Sequence, residues 1–172
     1  MKNKTKILAI SHSFLKKINT EMYLVLKNKY YLDIQLMCPK FHTDLNKKIY
    51  PDFTNKEIDI DVIFSKTIFN HLRFKIYKDL INRIKKENFN YIFLDMDILS
   101  LQSLILIIFS FFFNYKICYF SNENNIIDDK NWIRKNIKIF LFRTFKIFFK
   151  SKILKIFCYN RQIKKNLDNC SL

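Results

Sequence analysis

Three polar clusters could do chemistry. His12 stands between Ser11 and Ser13, Asp95 and Asp97 flank Met96, and Glu123 sits within Ser121-Asn122-Glu123-Asn124-Asn125. An imidazole such as His12 can orient or bind a substrate hydroxyl; its plainer reading is a residue beside a Ser13 helix cap. Asp95 and Asp97 can accept hydrogen bonds from a polyol or serve as acid and base. Asp97 also suits the N-cap of a helix beginning at Ile98, which leaves Asp95 as the more functional of the two. Glu123 is the only acid between Asp97 and Asp128. Held among Asn122, Asn124 and Asn125, it suits hydroxyl recognition or proton transfer, or else a solvated Asn-rich turn.

Other chemistries are excluded. There is no glycine among the 172 residues, so neither a Walker A loop nor a dinucleotide fingerprint can be built, since both need glycine where backbone approaches phosphate. Cys38, Cys118, Cys158 and Cys170 are far apart, and so are His12, His42 and His71. No metal site is expected, and three of the cysteines fall in strand-like apolar runs as small reduced thiols. His42 and His71 read as surface or loop residues. No cofactor is implied.

The elements that must position these clusters alternate as a parallel sheet with crossover helices requires. Strands are expected at Ile7–Ser11, Asp33–Cys38, Ile58–Phe64, Tyr91–Leu94, Lys116–Phe120 and Ile156–Tyr159. Asp59 and Asp61 would form the polar side of an edge strand. Helices are expected at Lys17–Lys27, with Ile18, Met22, Val25 and Leu26 on one face, and at Phe69–Glu87, with Leu72, Ile76, Leu80, Ile81 and Ile84 in register. Residues 40–56 read as a long polar loop, and Arg161–Leu167 as a final helical piece.

The apolar run 98–113 is shorter than the ~20 residues a spanning helix needs. It reads as a buried core helix rather than a transmembrane or re-entrant segment. The fold expected is α/β: a Rossmann-like, doubly wound, mostly parallel sheet of about six strands with helices on both faces, in one domain over 1–172. Ligands of such sheets bind beyond the carboxyl ends of the strands, where all three polar clusters fall.

Charge adds a partner. Lys and Arg number 31 against 15 Asp and Glu, a net +16, and the stretch 130–167 holds twelve basic residues and no acid. On a helix over Asp128–Lys152, Ile133, Ile137, Phe140, Leu141 and Phe148 cover one face. A second face interleaves Phe142, Phe145 and Phe149 with Lys135, Lys138, Lys146 and Lys150. That pattern suits an anionic membrane surface, or packing against a second domain. No recognition helix or RNP-type motif supports a nucleic-acid partner. The N-terminus lacks a signal-peptide h-region, so the expected location is cytoplasmic, peripheral at the inner face of the cell membrane.

The order of motifs resembles the N-terminal domain of glycosyltransferase family 4 (group 1) enzymes, one half of a GT-B architecture. The likeness rests on Lys6-Ile7-Leu8-Ala9-Ile10-Ser11-His12, the strand ending Cys38-Pro39, and Asn88-Phe89-Asn90-Tyr91-Ile92. It continues through Leu94-Asp95-Met96-Asp97-Ile98-Leu99-Ser100, Tyr119-Phe120-Ser121-Asn122-Glu123-Asn124 and Ile156-Phe157-Cys158-Tyr159-Asn160. The resemblance implies transfer of a sugar from a nucleotide-sugar to a sugar or lipid-linked acceptor, with no metal required. His12, Asp97, Asn122 and Asn124 would then bind the acceptor, and Glu123 and Asp95 would be catalytic. The family's Gly-rich turn is replaced by Phe14-Leu15-Lys16-Lys17-Ile18. A C-terminal nucleotide-sugar domain is expected to be absent, so donor binding would need a partner half. The alternative is a non-catalytic Rossmann-like module that binds a membrane or partner.

Overall fold

In a computed structural model, the described residues are 4–44, 47–68, 76–95, 100–121, 132, 133, 136, 137, 139, 140, 144 and 153–158. The chain begins with β1 (Lys6–Ile10), passes two 3-10 turns (His12–Leu15 and Lys17–Thr20) and enters α1 (Glu21–Tyr30). Next come β2 (Asp33–Pro39), a hairpin of β3 (His42–Asp44) and β4 (Lys47–Ile49), and β5 (Asp61–Ser65). A second hairpin, β6 (Thr67–Ile68) with β7 (Ile76–Tyr77), precedes α2 (Leu80–Glu87) and β8 (Tyr91–Leu94). The series closes with α3 (Leu101–Phe113), β9 (Lys116–Ser121) and β10 (Ile153–Cys158).

The result is a mixed α/β body with a parallel central sheet flanked by helices. Five strands run β9-β8-β1-β2-β5, and β10 pairs along β9 at the outer edge, every pairing being parallel. Sequence order therefore reverses between β1 and β8. Strands buried on both faces need apolar side chains at successive positions, and β1 supplies them. Leu8 and Ile10 join the cluster under α2 and α3, while Ile7 and Ala9 join the cluster under α1. Tyr115 closes the first cluster by donating its buried hydroxyl hydrogen to the Leu106 carbonyl.

Several expectations are corrected. The 3-10 turn at 17–20 shifts the helical phase before α1 begins, so Tyr23 is the buried contact while Ile18, Met22 and Val25 are exposed. The expected helix from Phe69 starts only at Leu80. Ile76 and Tyr77 pair instead, antiparallel, with Ile68 and Thr67. The polar loop 40–56 contains the β3–β4 hairpin, and Phe53 anchors it in the core. Asp61 does lie exposed on β5 at the sheet edge, whereas Asp59 precedes the strand and pairs with Lys27 at 3.1 Å.

The apolar run forms α3, which buries Leu106 and Ile107 and leaves Ile108 and Phe112 exposed. Its 13 residues reach about 20 Å at 1.5 Å per residue. No helix among the described residues is long and apolar enough to cross a membrane. Its N-cap is Ser100, whose hydroxyl accepts the Ser103 N–H at 3.1 Å. That corrects the expectation of an Asp97 cap.

With no glycine in the chain, α1, α2 and α3 each end on another residue in the left-handed region: Tyr31 (φ 53), Asn88 (φ 51) and Asn114 (φ 50). Asparagine tolerates that region; a bulky Tyr does so at a cost.

Candidate functional site

The reversal between β1 and β8 is the switch point at which open α/β sheets bind ligands, beyond the carboxyl ends of the strands. Two backbone bonds extend the ladder over that rim. The Ser11 N–H donates to the Met37 carbonyl and the Asp95 N–H to the Ile10 carbonyl, each at 3.1 Å. Ser11 and Asp95 are thereby held side by side across the switch point.

Their side chains meet. Ser11 Oγ donates to Asp95 Oδ2 at 2.8 Å and accepts the Ser13 N–H at 3.0 Å. The Ser11 and Ser13 hydroxyls lie 2.7 Å apart, and Ser13 Oγ is 3.4 Å from the same carboxylate oxygen. A hydroxyl has one hydrogen to give. With Ser11's committed to Asp95, Ser13 is the donor between the two hydroxyls. Ser11 is fully buried, so it is a positioning residue rather than one that meets a ligand. Asp95 is only partly covered, and both hydroxyls converge on its Oδ2. Among the described residues, Oδ1 takes no hydroxyl partner.

The turn after β1 has a consequence for the ligand. Phe14 and Leu15 are buried beneath it, filling with side chains the ground that a glycine turn leaves open to a pyrophosphate. His12 stands exposed on this turn, its ring 4.6 Å from that of His42 on β3. His42 is thus part of the rim's surroundings rather than a stray loop residue.

Tyr77 and Gln102 escaped the sequence reading. Tyr77 is buried in the same core cluster as Ile10, Met37 and Leu94. Its N–H donates to the buried Gln102 Oε1 at 2.9 Å. Burial first, then the nearby Cys38 and Asp95, push the Tyr77 phenol upward, so it keeps its hydrogen. Burial also pushes the Cys38 thiol up to about 12. A thiol so placed stays protonated at neutral pH and is no nucleophile. Cys38 and Cys118 are both buried and unbridged, as their strand positions lead one to expect. No cluster of three or more metal-ligating side chains occurs among the described residues.

Of the candidate residues, the structure brings His12 and Asp95 to the ends of neighbouring strands. Asp97, Asn122, Glu123 and Asn124 lie outside the described residues, as do His71 and the membrane-contact set Lys135, Lys138, Phe142, Phe145, Lys146, Phe149 and Lys150. Within that same stretch, Trp132, Ile133, Ile137 and Phe140 are exposed and Ile139 packs against the core.

No protein-family model matches the chain, and no curated protein does. Among solved structures it is similar to an isochorismatase-like hydrolase from Alkaliphilus metalliredigens. The TM-score is 0.44 and the identity 10%, over 96% of this chain and 97% of that one. So slight a likeness brings no activity with it. The expected resemblance to glycosyltransferase family 4 is withdrawn, because no family model matches the chain and its motifs. The sugar-transfer function, the GT-B half and the cell-envelope role drawn from it fall together. The non-catalytic membrane- or partner-binding module gains no support either. The motifs misled because strand-end Ser-His and Asp-x-Asp patterns suit any doubly wound sheet.

Proposed function

We propose that the switch-point rim is a small-molecule site for a hydroxyl-rich ligand of the sugar or polyol class. Asp95 is its acceptor, taking a hydrogen bond from a bound hydroxyl. The observation that carries this reading is the Ser11–Asp95 pair across β1 and β8. Ser11 holds the carboxylate through Oδ2 and is itself held by Ser13, which leaves Oδ1 for other work. A carboxylate held by neighbouring hydroxyls needs no rearrangement when a ligand arrives, and that lowers the cost of binding. Exposed His12 supplies a second polar contact within the same turn.

The test is a titration with glucose, followed by backbone amide NMR. Shifts are expected at Ser11, Ser13 and Asp95. Asp95→Asn keeps an oxygen for Ser11 but loses the charge. It should weaken binding about tenfold to a hundredfold, the worth of a hydrogen bond to a charged group. Unmoved rim amides at saturating glucose would refute the reading.

A further inference from the structure

The helix α3 is built inside out. Its polar side chains, Gln102, Ser103 and Ser110, are fully buried, while Ile108, Phe111 and Phe112 are exposed, Phe112 at 75%. Steps of three and four residues set Leu101, Leu104, Ile105, Ile108, Phe111 and Phe112 on one face, which no polar residue interrupts. The helix cannot roll that face inward, because Gln102 Oε1 accepts the buried Tyr77 N–H at 2.9 Å. Rolling would break that bond to hide the rings, leaving a buried donor unpaired. Further along the chain, residues 132, 133, 137 and 140 are helical, and Trp132, Ile133, Ile137 and Phe140 are all exposed. Ile139 packs against the same cluster as Leu104, Phe109 and Phe113, so this second apolar set belongs to the same side of the sheet. In sequence it is interleaved with Arg134, Lys135 and Lys138, part of the stretch 130–167 with twelve bases and no acid.

We propose that this side of the molecule docks on an anionic phospholipid bilayer, with α3 lying along the interface. An apolar face of this extent marks an interaction surface, and charge selects its occupant. A second copy of the chain would bring another +16 against the first, whereas anionic headgroups attract Lys and Arg that accompany an apolar helix face. The length of α3 fixes the mode. Its 13 residues reach about 20 Å, short of the ~30 Å hydrocarbon core, so it rests in the boundary instead of crossing it.

Vesicle flotation with fluorescence tests it, since Trp132 is the sole tryptophan of the chain. Vesicles of equal phosphatidylglycerol and phosphatidylcholine should float the protein and shift Trp132 emission to the blue. Pure phosphatidylcholine should bind at least about tenfold more weakly, the worth of a few bases at a charged surface. Phe112→Glu should weaken binding about tenfold or more, as withdrawal of a buried aromatic ring does. Met22→Glu makes the same change of charge at an exposed position on α1 and should leave binding unaltered. A urea midpoint matching the parent establishes that each variant is folded. Equal flotation with neutral vesicles would overturn the anionic assignment, and equal loss in Met22→Glu would overturn the place. Flotation with Trp132 emission unmoved would show that this side does not meet lipid. Absence of flotation, with a dimer in sedimentation that Phe112→Glu dissolves, would give the face to a second copy and overturn the proposal.

Discussion

Tyr31 shows what a chain without glycine accepts. It terminates α1 at φ 53 with its N–H donating to the Lys27 carbonyl, in a region where a Cβ crowds the backbone. The penalty is about 1–2 kcal/mol for a residue with a side chain. At 78% exposed, Tyr31 has little packing to lose. Tyr31→Gly is expected to raise stability by about 1 kcal/mol once the extra freedom of glycine in the unfolded chain is counted. A urea midpoint that falls would show that the Tyr side chain contributes more than its exposure suggests. Single residues also mark where sequence reasoning reached and where it stopped. Ser11, His12, Ser13 and Asp95 were legible because polar residues directly after buried strands have few roles. Gln102 was not, since an amide inside an apolar run looks like a tolerated exception. Only the tertiary fold reveals that it accepts a bond from a residue 25 positions away.

Elements were legible where one local rule governed them. Tyr91–Leu94 forms the strand its apolar run suggests, and α3 packs one side against the core as a short apolar helix should. The two hairpins were hidden for a different reason. Ile76 fits the helical spacing of Leu80 and Ile84, yet its strand pairing is with Ile68, a non-local choice that periodicity does not encode. The start of α3 is set by Ser100, whose Oγ accepts from the Ser103 backbone N–H and donates to the Ser103 hydroxyl. Ser100→Ala should remove both and destabilise the protein by about 1–2 kcal/mol. Asn at the same position, another good N-cap, should restore most of the loss. A urea midpoint unchanged by Ser100→Ala would show that residues before Ser100 already cap the helix.

For the molecule as a whole, the dry interior sets an alkaline limit. Cys38 rises from its ordinary 9.0 to about 12, driven by burial. Tyr77 and Tyr115 are pushed upward too, in both cases chiefly by burial. Below about pH 9 the thiol is protonated whether the chain is folded or not, so its contribution to stability is complete. As pH rises toward 12 the unfolded thiol ionises while the folded one keeps its proton, and stability falls. The tyrosines act in the same direction from about pH 10 upward. Urea midpoints should therefore decline above about pH 9, and Cys38→Ala should decline less steeply through the first part of that range. Equal slopes for the two proteins would show that water reaches the thiol. The sheet order itself could not have been derived from spacing alone, because alternating strands and helices permit several parallel arrangements. Motif order proved a poor guide to family for the same reason: the architecture imposes it on unrelated chains.

The bond from the Tyr77 backbone to Gln102 fastens the second hairpin to the first turn of α3. That helix is thus a peg as well as a wall: without the amide at 102, the buried Tyr77 N–H would be stranded where no water replaces its partner.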